Sequence, residues 1–398
     1  MTNGWTGGQY SLFRVVFGLY LLGWAIGLID FADYLNTTVV FLAAAAAAFL
    51  IVGWCDRSAA IGLAAWMSFQ ADLPALLNTD LDARRWLNAA STLIPALVLL
   101  VHASLPAAPY GSIAARSRPD PAGEWRFRPA IYIATWCAMA TGYSVVGLIM
   151  LRSDPAWRND DALAELIISS GRTAHLGELL RMATWCVLGA CLSFAMLAAV
   201  SRLRPWLWVI MLLIQLGLGI GLELHNLAGA LLMLHLLTFD PAWIAPRPPA
   251  AEEDAKATDP YDQPDSEMIY YDGHCGLCHQ SVRFVLSEDR PANTFRFAAL
   301  QSRAFETSVP PADRKDLPDS VVVKAADGTL RCRYDGALYV GARLGGLWRV
   351  LAMILHLLPR SLCNALYDKI AAVRYGLFKQ PEKLCPIVPK TLMQRFEM

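Results

Sequence analysis

Two cysteines three residues apart, in Tyr270-Tyr271-Asp272-Gly273-His274-Cys275-Gly276-Leu277-Cys278-His279, are the residues of this chain best suited to chemistry. A C-x-x-C pair can cycle between dithiol and disulfide, provided that one sulfur is stabilised as a thiolate. The flanks show how that stabilisation would arise. Met268 to Tyr271 reads as a short strand, and Val282, Val285 and Leu286 fall on one face of a following helix. Cys275 is therefore expected at a helix N-terminus, where unpaired N–H groups and the dipole favour negative charge. Cys278 lies one turn on, expected to be the more buried thiol and close enough to pair. In this reading Cys275 attacks and Cys278 resolves the mixed disulfide. Asp272 is placed to take the proton from Cys278, or else to act as a turn residue or helix cap. His274 either strengthens the thiolate by its positive charge or stands in the loop as an ordinary exposed histidine.

The same residues admit other chemistry. Cys275 to His279 satisfies C-x-x-C-H, the pattern of covalent haem attachment, which requires export; no cleavable signal precedes it. His274, Cys275, Cys278 and His279 are zinc-ligating types. Adjacent residues rarely close a tetrahedron on one ion, however, no second C-x-x-C follows, and Cys332, Cys363 and Cys385 are scattered. Two buried structural thiols are the remaining alternative.

Tyr271 to Cys278 resembles the signature of the DCC family of thiol-disulfide oxidoreductases, named for D-x-x-C-x-x-C. The resemblance continues through Phe295-Arg296-Phe297-Ala298-Ala299-Leu300-Gln301-Ser302, Asp319 to Val323 and Tyr334-Asp335-Gly336-Ala337. It ends in Tyr367-Asp368-Lys369-Ile370 and Arg374-Tyr375, covering about the last 130 residues. It implies a thioredoxin-like α/β fold and thiol-disulfide exchange, with no cofactor beyond the dithiol. Such folds usually set a cis-proline opposite the dithiol, and Pro318, just before Asp319, is the candidate.

The elements that must position the dithiol occupy only part of the chain. Of 398 residues, 56% are hydrophobic and 17% charged, against about 25% charged in a soluble domain. Long apolar runs fill the residues before about 245, whereas the residues after it have ordinary soluble composition. The expected architecture is a multi-span α-helical membrane domain (1–245), a Pro-rich, acidic linker (246–265) and an α/β thioredoxin-like domain (266–398). Lys plus Arg and Asp plus Glu number 34 each, so charge gives no reason to invoke nucleic acid. Of nine cysteines, Cys55, Cys137, Cys186 and Cys191 lie in apolar runs and read as small buried hydrophobes.

Eight spans are expected, at Tyr10–Ile29, Thr38–Trp54, Ser58–Gln70, Trp86–Val101, Ala130–Leu151, Ala183–Val200, Pro205–Leu222 and Leu227–Ile244. Arg14, near the start of the first, is expected to snorkel to the interface. Arg57, then Arg116, Arg118, Arg126 and Arg128, then Arg202 and Arg204 fall in alternate loops, which places both termini in the cytoplasm. The expected location is thus an integral protein of a bacterial inner membrane, with the bilayer and a protein or small-molecule thiol or disulfide as partners. In the C-terminal part, strands are expected at Phe295–Ala298, Ser320–Ala325 and Thr329–Tyr334, the last two joined at Asp327-Gly328. Helices are expected at Leu338–Leu358 and Arg360–Phe378.

Gln9 to Arg14 with Phe17-Gly18, and His235 to Trp243, resemble the HTTM family, the transmembrane domain related to vitamin K-dependent γ-carboxylase. Tyr143, Gly147, Leu151 and Trp157 match a further segment of that family, but Ile149 and Met150 stand where it has two lysines. Neither can accept a proton, so carboxylase chemistry does not carry over. Glu223, His225 and His235 remain as polar groups in or near the last two spans. They read as a solvated turn and a hydrogen-bonded core histidine, or as a pocket for a quinone or other lipid-soluble carrier. Besides the exchange enzyme, the chain as a whole admits a redox-sensing or binding membrane protein, and a lipid- or quinone-modifying membrane enzyme with an accessory redox domain.

Overall fold

The computed structural model describes residues 3–29, 34–71, 83–123, 125–153, 155–169, 177–221, 224–244, 267–289, 294–315, 317–378, 381 and 384–397. The linker expected at 246–265 and Glu223 lie outside the described residues. The chain forms two compact units. One holds Phe13–Ala107 and Phe127–Phe239; the other holds Asn3–Leu12, Ala108–Arg126 and Asp240–Met398.

The first unit is helical. Its helices are α1 (Gly7–Ile26, from Phe13 on), α2 (Tyr34–Val52), α3 (Asp56–Gln70), α4 (Ala83–Ser104), α5 (Pro129–Ser153), the short α6 (Pro155–Arg158) and α7 (Ala162–Ser169), α8 (Gly177–Ala198), α9 (Arg204–Gly221) and α10 (His225–Thr238). Helix α3 packs on α2 and α4, α5 on α8, and α10 on α4 and α9. Among the described residues, Gly7–Ile26, Pro129–Arg152 and Glu178–Ala198 are long and apolar enough to cross a membrane. The apolar segments Asn36–Val52, Asn88–Ser104 and His225–Thr238 are shorter. Arg14 does not snorkel. It is 1% exposed, and its Nη1 donates to the Leu50 carbonyl at 2.8 Å, so the bundle interior rather than an interface holds the charge. His235 is fully buried, 3.2 Å from the Gln215 amide nitrogen and 3.5 Å from the Tyr143 hydroxyl, whereas His225 is exposed at the start of α10.

The second unit is built on a five-stranded mixed sheet. Its strands are β1 (Glu267–Tyr271), β2 (Phe295–Ala299), β3 (Val322–Lys324), β4 (Leu330–Cys332) and β5 (Phe396–Glu397), in the order β4-β3-β1-β2-β5. Strand β1 pairs parallel with β2 and antiparallel with β3. Helix α11 (Gly276–Glu288) crosses from β1 to β2. Every residue of β1 is buried, which fits the apolar and aromatic run Met268–Tyr271, and its first residue, Glu267, pairs with Arg343 at 2.8 Å. One face of the sheet carries Ile269, Tyr271, Phe297 and Val323 against Val282, Val285 and Leu286 of α11. The other carries Met268, Tyr270 and Val322 against Phe305.

Three features depart from the expected element map. The stretch between β2 and β3, read as a loop, folds α12 (Arg303–Ser308) and α13 (Pro311–Lys315). The helix expected over Leu338–Leu358 is two, α14 (Arg333–Leu344) and α15 (Gly346–His356). Gly345 and Gly346 separate them at φ 74° and 54°, a left-handed conformation open to glycine at little cost. A short α17 (Lys390–Met393) leads into β5, which pairs with β2. That edge is held by Arg395, which pairs with Asp289, both 2% exposed, and donates to the Phe295 carbonyl. Helix α16 (Arg360–Leu377) follows α15 after a 116° bend at Pro359, so the apolar run there is not one straight span.

The second unit draws its N-terminal segment in through one side chain. Glu288, at the end of α11, is buried. Its carboxylate accepts from the Thr6 hydroxyl, from Gly8 N–H (2.9 Å) and from the Trp348 indole (2.6 Å). An anion here faces the N-terminal N–H groups of α1. Burial nonetheless raises its pKa above the ordinary carboxylate value, against the opposing hydrogen bonds. A carboxyl raised on folding binds its proton more tightly in the folded state. Its contribution to stability is therefore largest below the unfolded pKa and declines as pH rises through the folded value. Glu288→Gln should flatten that decline. Thermal unfolding of the two proteins across the mildly acidic range would show it as a difference in Tm that varies with pH.

Candidate active site

Strand β1 ends at Tyr271, and the chain turns through Asp272-Gly273-His274 before α11 begins. Cys275 is the N-cap of α11, and its Sγ accepts the backbone N–H of Cys278 at 3.2 Å. A helix N-terminus with an N–H aimed at the sulfur favours negative charge there. Cys278 is held differently. Burial, and then the neighbouring Cys275, raise its pKa well above that of an ordinary thiol, while the Arg374 charge opposes the rise.

The accessibility of the two thiols is the reverse of the expectation. Cys275 is fully buried and Cys278 is 7% exposed. The C-terminal end of the chain packs against the turn and against the apolar cluster that holds Cys275. The Leu384 carbonyl accepts from the Tyr271 hydroxyl at 3.0 Å and lies 3.1 Å from His279 Nε2, and Arg283 donates to the Ile387 carbonyl at 2.7 Å. Cys385 and Val388 pack on the same apolar cluster as the dithiol. Gly273 permits this closeness: a Cβ on it would lie 2.8 Å from Leu384 Cδ2 and 3.1 Å from its Cα. His279 is thereby drawn into the core, its ring edge-on to Tyr271 at 5.7 Å. Among the described residues, no three His, Cys, Asp or Glu side chains converge as a metal-binding group.

Asp272 is the hub of the site. Its Oδ1 accepts from His274 N–H (3.0 Å) and the Gln301 amide (2.9 Å). Its Oδ2 accepts from the Tyr375 hydroxyl and lies 3.6 Å from Arg374 Nη2. Burial pushes its pKa up, but the three hydrogen bonds and the Arg374 charge together outweigh burial and hold it below the ordinary value. A carboxylate so engaged is a poor proton acceptor and a strong organiser. Arg374, 4% exposed, also binds Asp319 at 2.6 Å. The His274 side chain is 62% exposed, with Nδ1 3.9 Å from Asp272. No cis peptide bond occurs among the described residues, so Pro318 does not supply the expected cis-proline.

Gln301, Arg374 and Tyr375 were not singled out as site residues from the sequence. The first lies 29 positions from Asp272 and the last 103, separations at which spacing carries no information. Their one sequence signal is that they sit inside segments shared with the DCC pattern.

Residues 269–380 match the DCC1-like thiol-disulfide oxidoreductase family. This DCC1-like region is also similar to the uncharacterized protein YuxK of Bacillus subtilis, at 27% identity over 135 residues, which is 33% of this chain and 93% of that protein. It is similar as well to the DCC family protein At1g52590, chloroplastic, of Arabidopsis thaliana. There the identity is 29% over 111 residues, 28% of this chain and 64% of the relative. No solved structure matches. The matched region takes in Asp272, Cys275, Cys278, Gln301 and both Arg374 and Tyr375, so the whole hub lies within the DCC1-like boundaries.

Proposed function

We propose that this protein is a membrane-anchored thiol-disulfide oxidoreductase in which Cys275 and Cys278 cycle between dithiol and disulfide. The observation that carries the reading is the contact of Cys275 Sγ with Cys278 N–H at the N-terminus of α11. It gives one of the two sulfurs a place for negative charge, which exchange requires of the attacking or departing sulfur. The family match supplies the reaction class. A central β1 flanked by a parallel β2 and an antiparallel β3, with the dithiol at the β1–α11 turn, supports a thioredoxin-like reading of the domain. Asp272 and Arg374 keep the turn and the start of α11 in register with the end of α16. Three helices long and apolar enough to span support the membrane anchor.

The full-length protein in detergent should reduce insulin or glutathione disulfide catalytically with dithiothreitol as electron donor. Wild-type rates no higher than those of a Cys275→Ser, Cys278→Ser double variant would refute the enzyme reading. The distribution of basic residues over the loops favours a cytoplasmic DCC1-like domain. An alkaline phosphatase fused after Met398 should then be inactive and a green fluorescent fusion bright, and the opposite pair of results would reverse the orientation.

A further inference from the structure

An apolar cavity of about 370 Å³ opens beside the dithiol, between α11, α14 and α15. Its wall includes Cys278, Val282, Val285, Val340, Ala352 and Leu355, and Cys275 does not line it. The volume is that of a small-ligand pocket. The polar side chains on the wall already have partners. The Tyr334 hydroxyl donates to the Leu355 carbonyl at 2.6 Å, Tyr367 accepts from Val321 N–H at 3.2 Å, and the Ser281 hydroxyl donates to the Leu277 carbonyl at 3.1 Å. Arg333 pairs with Asp368 at 3.1 Å. What the cavity offers a ligand is therefore mostly apolar surface and one sulfur, with the partly exposed Arg333 guanidinium on its wall. Cys275, fully buried, offers a large hydrophilic partner no approach.

We propose that the substrate of the dithiol is a small lipophilic thiol or its disulfide, which enters this cavity and is held covalently on Cys278, with Cys275 as the buried partner sulfur. This rests on the exchange reading above and names its substrate class. In the oxidising direction a substrate thiolate attacks Cys278 Sγ of the protein disulfide. A bond forms between the substrate sulfur and Cys278, the Cys275–Cys278 bond breaks, and Cys275 leaves as a thiolate facing Cys278 N–H. A second substrate thiolate then attacks the substrate sulfur of the mixed disulfide. This forms the substrate disulfide and releases Cys278, which takes up a proton. Two thiols have lost two electrons and the protein disulfide has gained them; reduction of a substrate disulfide is the reverse. The resting thiols fit this order, because the sulfur that departs first is the one at the helix N-terminus, and burial keeps Cys278 protonated once it is released.

The test uses the reduced protein with two probes, uncharged 4,4′-dithiodipyridine and charged glutathione disulfide. Because Cys55, Cys137 and Cys186 are exposed, adducts are read by mass spectrometry on the peptide carrying Cys275 and Cys278, and each rate is divided by that of free cysteine with the same probe. We expect wild type to favour the uncharged probe by about tenfold or more, the scale of discrimination by an apolar pocket. Cys275→Ser should form the mixed disulfide with that probe faster than Cys278→Ser. Ala352→Phe, which fills the cavity, should reduce the preference. A normalised preference near one in wild type would overturn the proposal, as would faster labelling of a Cys278→Ser variant whose thermal unfolding matches that of wild type. Native wild type that reacts with neither probe would instead refute the exchange reading itself.

Discussion

Cys275→Ser should abolish catalytic disulfide turnover, by about a hundredfold or more, and leave a mixed disulfide on Cys278. The dithiol works as a unit. One sulfur must bond the substrate and the other must break that bond, so a serine at either position stops the cycle. The two variants should stop at different points. With Cys275 replaced, the cavity-facing Cys278 can still capture a disulfide, and nothing remains to resolve the adduct. With Cys278 replaced, Cys275 keeps its helix N-terminal position but lies fully buried, so little adduct should accumulate. Mass spectrometry of acid-quenched reactions separates the cases. Substantial turnover in either single variant would mean that the two thiols do not act as a pair.

Arg374→Met should destabilise the DCC1-like domain by about 2–4 kcal/mol and move the exchange rate to more alkaline pH. Arg374 is buried between Asp319 and Asp272, and its removal strands the Asp272 carboxylate in a site that burial already penalises. The guanidinium charge also opposes the upward shift of Cys278. Without it, less Cys278 thiolate is present at a given pH, and the pH–rate profile shifts upward. A purely structural arginine would lower stability without moving the profile. Asp272→Asn makes the complementary case. A carboxyl lowered on folding contributes stability above its unfolded pKa that is lost as pH falls through the folded value. Asp272→Asn should therefore cost most stability near neutral pH and least in acid. Its effect on the exchange step should be the smaller one, because both oxygens are already committed. Thermal unfolding and exchange rates, each followed across pH, check both variants.

The local parts of the site were readable in the residues. A strand of buried aromatics, a tight Asp-Gly turn and an apolar helix face at 3.6-residue spacing place Cys275 as an N-cap, and the structure has it there. What spacing could not convey was distance across the fold. Gln301 and Arg374-Tyr375 reach Asp272 only because β2 lies beside β1 and α16 returns over the turn, so a residue expected to serve as base, turn residue or cap bonds its own turn and is also the hub of a buried ion pair. Burial was misjudged for the same reason. Position in α11 alone makes Cys275 the more open thiol, and tertiary packing that local spacing does not convey buries it fully. The glycine pair at 345–346 was lost within an apolar run that reads as one helix. Strand β5 was missed because two residues are too few for any alternation to register.

Equilibration of the full-length protein in glutathione redox buffers, followed by alkylation and peptide mapping, tests the central claim most directly. The account predicts one reversible disulfide, between Cys275 and Cys278, with a reduction potential within the span of dithiol oxidoreductases, about −270 to −120 mV. Thiols at 275 and 278 that stay reduced at every poise and label only after denaturation would contradict it.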